Sequence, residues 1–335
     1  MATAPQRHGC FSIAHDLQRF RLLELPPDLV QLLDAPNPPR LSLKSQPEPA
    51  YAVLCTPAKT YQLRQVQTSN SLFITQPALE SHGNAAPAPA TRAIASCTAT
   101  LELHPADPAA AVMLLRRVLP VYDMLADHVD ATAAGKSMAA IFDDMPFSDA
   151  QCLSAWHALM AFEHQGSSYQ PSARALSHVW SAIHAAALAE GVKLDCQFLT
   201  PDITKAACQE DHPPALVGAI LSHLAKEDHE PDGPWSCLDR TKTVAFAGRT
   251  LLDAKRGSDF LLADFIDIWE DRLPEAWRGH AQLDSIPGAY EMPTSTTIRS
   301  RGSAANLSEP DHTSSTAPKP SARKWHDKFA KTRKK

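Results

Sequence analysis

Up to His104-Pro105 the apolar residues of this chain fall in short runs or at alternate positions, and beyond it they recur three and four residues apart. Alternation marks a half-buried strand and the longer interval an amphipathic helix. One chain therefore has to build two kinds of core. In the first part, FRLLEL (20–25) is an apolar run stopped by Pro26 and Pro27, and PDLVQLLD (27–34) reads as one short helix starting at Pro27 or Asp28. RLSLK (40–44), YAVLC (51–55) and AIASCTATLEL (93–103) are candidate strands, with HGNAAPAPA (82–90) a flexible loop. Between them lies KTYQLRQVQTSNSLFI (59–74), which reads as a hairpin turning at Thr68-Ser69-Asn70 and returning through Leu72, Phe73 and Ile74. Tyr61 and Leu63 share one strand face, and Val66 breaks the alternation, which predicts a bulge before the turn. Several short strands separated by turn signals predict a small barrel or sandwich.

In the second part, AAAVMLLRRVLPVYDMLADHV is helical by pattern, with an interruption at Pro120. Ser148 through Gln151 have capping-box spacing, and the helix they open turns Cys152, Ala155, Trp156, Leu159 and Met160 to one face. A loop, HQGSSYQPS, leads to a helix burying Leu176, Val179, Trp180, Ile183 and Ala187, and VKLDCQFLT (192–200) is a candidate closing strand. The next unit begins near Pro213. It holds the helix LVGAILSHLAKED, a short strand or turn at 233–239, a helix capped by Asp239 and ended near Gly257, and a helix through Leu262, Phe265, Ile266, Trp269 and Leu273. DSIPGAYEM (284–292) then predicts a hairpin with Pro287-Gly288 at its tip. Helix, strand, helix, helix, hairpin is the order of a winged helix. Residues 293–322, rich in Ser, Thr and Pro, predict a disordered linker.

No set of residues here carries chemistry. Gly135-Lys136-Ser137 ends like a phosphate loop, but Asp130 stands where the motif needs its first glycine, and a helix precedes it rather than a strand. The seven cysteines, Cys10, Cys55, Cys97, Cys152, Cys196, Cys208 and Cys237, include no CxxC pair, so neither structural zinc nor disulfides are expected, and the natural setting is a reducing compartment. The histidines are dispersed and no Ser/His/Asp order stands out. No apolar run is long enough to span a bilayer, and the first residues lack a signal-peptide core. No cofactor or metal is expected, and the chain reads as something other than an enzyme.

Charge narrows the binding classes. The last thirteen residues, RKWHDKFAKTRKK, hold seven Lys/Arg and one Asp, so with −5 for the whole chain the remainder carries −11. The helix in the recognition slot, 260–273, offers Asp264, Asp267, Glu270 and Asp271 against Arg272, the wrong sign for reading base edges. Residues 201–290 carry nine Lys/Arg against sixteen Asp/Glu. The basic tail (Arg323, Lys324, Trp325, Lys328, Phe329, Lys331, Arg333) is the one candidate nucleic-acid or partner contact of this kind, with a solvated terminus or a nuclear-import signal as the plainer reading.

Taken together, FRLLELPPDLVQLLD, YAVLCTPAKTYQLRQVQTSNSLFI and DRTKTVAFAGRTLLDAKRGSDFLLADFIDIWEDRLPEAW resemble the signature blocks of the family called "defective in sister chromatid cohesion, one". The resemblance implies a nuclear, non-catalytic subunit of an alternative replication factor C clamp loader, acting on the sliding clamp in replication and cohesion. It implies an α+β chain in these parts: a half-barrel for heterodimerisation (1–105), completed by chromosome transmission fidelity proteins eight and eighteen; a helical connector (106–135); two winged-helix modules (136–200 and 201–292); the linker; and the basic tail (323–335). Tyr61, Leu63, Val66, Leu72, Phe73 and Ile74 would then be the partner-binding hairpin. Replication factor C small subunits and polymerase epsilon would be reached through the complex, and DNA contact would be weak. Family members commonly carry a further winged helix beyond the basic segment, which this sequence does not continue into. The competing reading is a winged-helix transcription or chromatin protein that reads DNA directly.

Overall fold

The computed structural model describes residues 10–46, 51–81, 88–123, 135–208, 212–226 and 233–301. Its first part is one sheet with a single short helix. The strands are β1 (Cys10–Ile13), β2 (Leu22–Leu23), β3 (Ser42–Gln46), β4 (Tyr51–Cys55), β5 (Thr60–Glu80) and β6 (Ala88–Pro105). Their order is β1-β6-β5-β4-β3, with β2 also pairing β6, and the described residues do not close into a barrel. Helix α1 (Pro27–Leu33) starts at the two prolines, where a missing N–H costs nothing. It tucks Leu29 against Leu54, Tyr61 and Leu103, a small core at the base of the sheet.

The hairpin expected at 59–74 is not there. β5 runs straight through Thr68-Ser69-Asn70, and those residues form an irregularity instead of a reversal. Gln67 pairs Ala99 and Leu72 pairs Cys97, so residues 68–71 face Thr98 alone. A bulge absorbs the extra residues that looked like a turn. The chain reverses beyond Glu80, and Ala88, Pro89 and Ala90, expected in a loop, are already strand.

Beyond Pro105 the helices follow a repeated plan. The first stretch holds α2 (Pro108–Val118), β7 (Val121–Tyr122), α3 (Met138–Asp144), α4 (Asp149–Ala158), β8 (Phe162–His164) and β9 (Ser167–Pro171). The second holds α5 (Ala173–Ala189), β10 (Phe198–Leu199), α6 (Thr200–Ala207), α7 (Pro214–Leu224) and β11 (Trp235–Ser236). The third holds α8 (Arg240–Ala254), β12 (Phe260–Leu261), α9 (Leu262–Asp271), a 3-10 turn (Glu275–His280), β13 (Tyr290–Thr294) and β14 (Thr297–Ser300). Each opens on a capped helix. Asp107 accepts from Ala109 N, Ser172 from Ala175 N and Asp239 from Lys242 N, each satisfying an N–H that the helix leaves unpaired.

These repeats shift the expected boundaries. The interruption expected at Pro120 is there, with α2 ending at Val118 because the proline lacks the N–H to continue it, but Val121–Tyr122, expected helical, pair as a strand with β9. HQGSSYQPS is no loop: Gln165 and Gly166, with φ of 50° and 78°, make the primed turn that joins β8 to β9. VKLDCQFLT supplies only Phe198–Leu199, which pair across the expected 200/201 boundary with β11. The hairpin expected at 284–292 lies one strand later. Gly288 does adopt φ 72°, but it only leads into β13, and β13 and β14 reverse between Thr294 and Thr297. Residues 293–301, expected as linker, therefore belong to the fold; the remaining linker and the basic tail lie outside the described residues.

One apolar core runs from the β8–β9 hairpin of the first repeat through the second and third, from Phe162 to Ile298, with Trp180, Trp269 and Trp277 among its fully buried side chains. Trp269 Nε1 donates to Val244 O at 2.9 Å, so its one polar atom is satisfied. Gly248 lets the ring approach: a Cβ there would lie 2.5 Å from two of its carbons. Trp180 Nε1 donates to Arg272 O at 2.9 Å, which ties α5 to the end of α9. A smaller core, through Leu115, Ile141, Met145, Cys152 and Trp156, serves the first repeat. The sheet joins it by polar bonds: Lys44 Nζ donates to Phe142 O (2.9 Å) and Phe147 O (3.2 Å), and Ser148 N to Thr60 Oγ1 (2.7 Å).

Candidate partner-docking edge

The long pair β5 and β6 is covered unequally. On β6, the side away from β5 carries β1 along Ala90–Ala93 and β2 along Leu22 and Leu23. The chain between them stays close, with Gln18 N donating to Ile94 O at 2.7 Å. On β5, the side away from β6 meets β4 only at Thr60, Tyr61 and Gln62. Among the described residues, no strand pairs that side along 63–80. An unpaired edge of this length is a template for another strand. Natural edges are usually blunted by charge or proline, and here Arg64 and Pro77 are the guards. Glu80 is spent on Arg92 (2.6 Å) and on the hydroxyl of Ser12 (2.7 Å).

The side chains beside this edge are apolar and exposed. Leu72 is 50% exposed, Phe73 49% and Leu79 69%, and on the flank of the same sheet Phe11 is 57% and Ile13 60% exposed. Phe11 and Phe73 meet edge-to-face with ring centroids 6.4 Å apart, which joins the two strands into one patch. Single exposed apolar residues are ordinary, but a contiguous patch beside an open edge is not.

The six residues expected to bind a partner divide between two duties. Phe73 is exposed on the patch with Phe11, Leu72 is exposed beside the same edge on the opposite face, and Val66 is exposed further along β5, while Ile74 is half-buried. Tyr61 and Leu63 face the chain's own small core instead, because β4 and α1 close over the base of β5. Tyr61 OH donates to Asp28 Oδ2 at 2.6 Å, and Lys59 Nζ donates to the same oxygen at 3.0 Å. Burial, then the Asp28 carboxylate, pushes the Tyr61 hydroxyl up to about 12. The tyrosine hydrogen bond and then Lys59 hold Asp28 below the usual carboxylate range. The patch also includes Phe11, Ile13 and Leu79, which were not among the expected residues. The alternation in CFSI (10–13) was the signal for Phe11 and Ile13.

Nothing resembling a phosphate cradle forms at Gly135-Lys136-Ser137. Ser137 caps the seven-residue α3, Lys136 pairs with Asp144, and Glu163 Oε1 accepts from Met138 N at 2.7 Å, so a carboxylate already occupies the helix start. Among the described residues, no three His, Cys, Asp or Glu side chains gather where they could hold a metal, and no helix is long and apolar enough to cross a membrane. The helix placed by sequence in the recognition slot, α9, is the second helix of its repeat; the 3-10 turn Glu275–His280 takes the third place.

The family model described as sister chromatid cohesion protein Dcc1 matches residues 20–309. The chain belongs to the Dcc1 family. The matched span takes in β2 to β14, and so both the open edge and all three repeats. Family membership gives the chain a role in sister chromatid cohesion. No curated protein matches the sequence.

Proposed function

We propose that this chain is a non-catalytic adaptor subunit of the alternative replication factor C clamp loader of sister chromatid cohesion, acting in the nucleus, and that its N-terminal sheet is a half-barrel completed by other subunits. The observation that carries this reading is the β5 edge at 63–80, unpaired on one side and bordered by exposed Leu72, Phe73 and Leu79. Strand addition at such an edge supplies backbone hydrogen bonds for affinity and alternate side chains for specificity. The occupants would be chromosome transmission fidelity protein eight and the end of protein eighteen, with the clamp, the small subunits and polymerase epsilon reached through the assembly.

In the same reading, the repeats are winged-helix modules. The third supports this best, since helix, strand, helix, turn and hairpin follow in order and its sheet runs β12-β14-β13. Its third helical position is a six-residue 3-10 turn with Trp277 buried. That is short for a helix laid in a major groove, and the neighbouring α9 is acidic on its open side. Both features favour protein docking over sequence-specific DNA reading.

The test is co-purification of the full chain with protein eight and the C-terminal segment of protein eighteen. Wild type should give a stoichiometric complex, and Leu72→Asp with Phe73→Asp should lose it while keeping its own helical content. Retention of both partners by the double variant would overturn the assignment of the edge.

A further inference from the structure

Away from the sheet, a groove of about 790 Å3 opens where the first repeat meets α5 and α8. Its charge is unlike that of the molecule around it. Arg116, at the end of α2, stands on one side; Lys242 and Arg249 project from one stripe of α8 on the other, and Arg256 from the turn just after it. All four are exposed. Asp253 is the one acidic residue in the lining, and it is already engaged by Arg256 at 3.5 Å and by the Ser300 hydroxyl. Among the described residues, no carboxylate pairs with Arg116 or Arg249. A chain of net charge −5 thus concentrates cations along one slot.

The floor of the slot is apolar. Leu159, Met160, Leu176 and Phe246 line it, and Met160 is turned there by a left-handed backbone, φ 49°, just past the end of α4. These two properties select the occupant. A duplex meets phosphate-binding side chains on a convex backbone and gains nothing from a recessed apolar floor. A single strand gains most from open aromatic faces, and Phe246, the aromatic ring beneath this groove, is only 7% exposed. An extended peptide with carboxylates on both flanks and Leu or Phe between them uses cations and floor together, and charge complementarity would draw it in.

We propose that this groove is a second docking site, independent of the β5 edge, for an acidic peptide segment of a partner protein that carries apolar residues among its Asp and Glu. Arg116 and Arg249 pair with its carboxylates, and Met160, the half-buried side chain of the floor, receives an apolar side chain.

The test uses the full chain and a fluorescein-labelled peptide in which Glu and Asp alternate with Leu and Phe, followed by fluorescence anisotropy. Saturable binding with half-saturation below about 100 μM at low salt is expected, weakening as salt is added. Arg116→Glu with Arg249→Glu should weaken it at least about tenfold. Lys205→Glu, an exposed site on α6 outside the groove, should leave it unchanged. Met160→Ser should weaken the peptide several-fold by removing part of the floor, at constant charge. No saturable binding, or equal affinity in the Arg116/Arg249 reversal, would overturn the proposal. So would an unlabelled single-stranded oligothymidylate of the same length that displaces the peptide at lower concentration and loses binding in the same reversal, since that assigns the groove to nucleic acid.

Discussion

The C-terminal repeats and the N-terminal sheet solve opposite problems. The repeats bury three tryptophans fully and run one apolar core from Phe162 to Ile298. The sheet has a buried core of Leu29, Leu54, Tyr61 and Leu103, and leaves Phe11, Ile13, Leu72, Phe73 and Leu79 open to water. Apolar burial is the main stabilising term of a fold, so the first region holds its own core, while the second, in the function proposed above, is completed by another chain. The long β5–β6 pair extends far beyond its small core, and the proposed strand addition would account for that length.

The largest effect tests the self-sufficient half. Trp269→Ala removes a ring with no exposure together with its hydrogen bond to Val244 O, and should lower stability by about 3–5 kcal/mol in denaturant unfolding. The same contact can be attacked from the other side: Gly248→Ala presses a methyl into that ring and should cost about 1–3 kcal/mol. If either substitution is tolerated without loss, the repeats are not held by this core.

The next effect probes the base of the sheet, through pH. Asp28 is held below its ordinary value of 3.8 by Tyr61 and then Lys59. A carboxyl depressed by folding adds stability that is complete above its unfolded value and is lost as pH falls through the folded one. Acidification below pH 3.8 should therefore weaken the base of the sheet, and Tyr61→Phe should blunt that dependence, as read from thermal midpoints across acid pH. An acid profile unchanged by Tyr61→Phe would show that the bond does not carry it.

The smallest effect sharpens the contrast most. Leu72→Asp with Phe73→Asp in the free chain should shift stability by no more than about 0.5 kcal/mol per site, because neither side chain is buried by its own chain. A large loss would mean that the patch belongs to the chain's own fold.

How far this was legible in the sequence follows from where each residue finds its partners. Helix faces and caps depend on neighbours a turn away. Ser148, Asp239 and the buried row Leu176, Val179, Trp180, Ile183 could thus be read directly and stand as expected. Thr68-Ser69-Asn70 misled because turn residues also suit a bulge, and the choice is made by β6, some thirty residues on. Residues 297–300 looked like linker because the strand is short and polar around a single fully buried side chain, Ile298. The open edge was legible only through resemblance, since being unpaired is a property of the assembled sheet and not of any residue in it.

Hydrogen exchange on the full chain tests the central claim most directly, with and without chromosome transmission fidelity protein eight. Alone, the outward-facing amides of 63–80 should exchange far faster than those of α5, α8 and α9, and adding the partner should slow the β5 amides while leaving the helices unchanged. Amides of β5 that are already protected in the free chain, or that do not respond to the partner, would contradict the account.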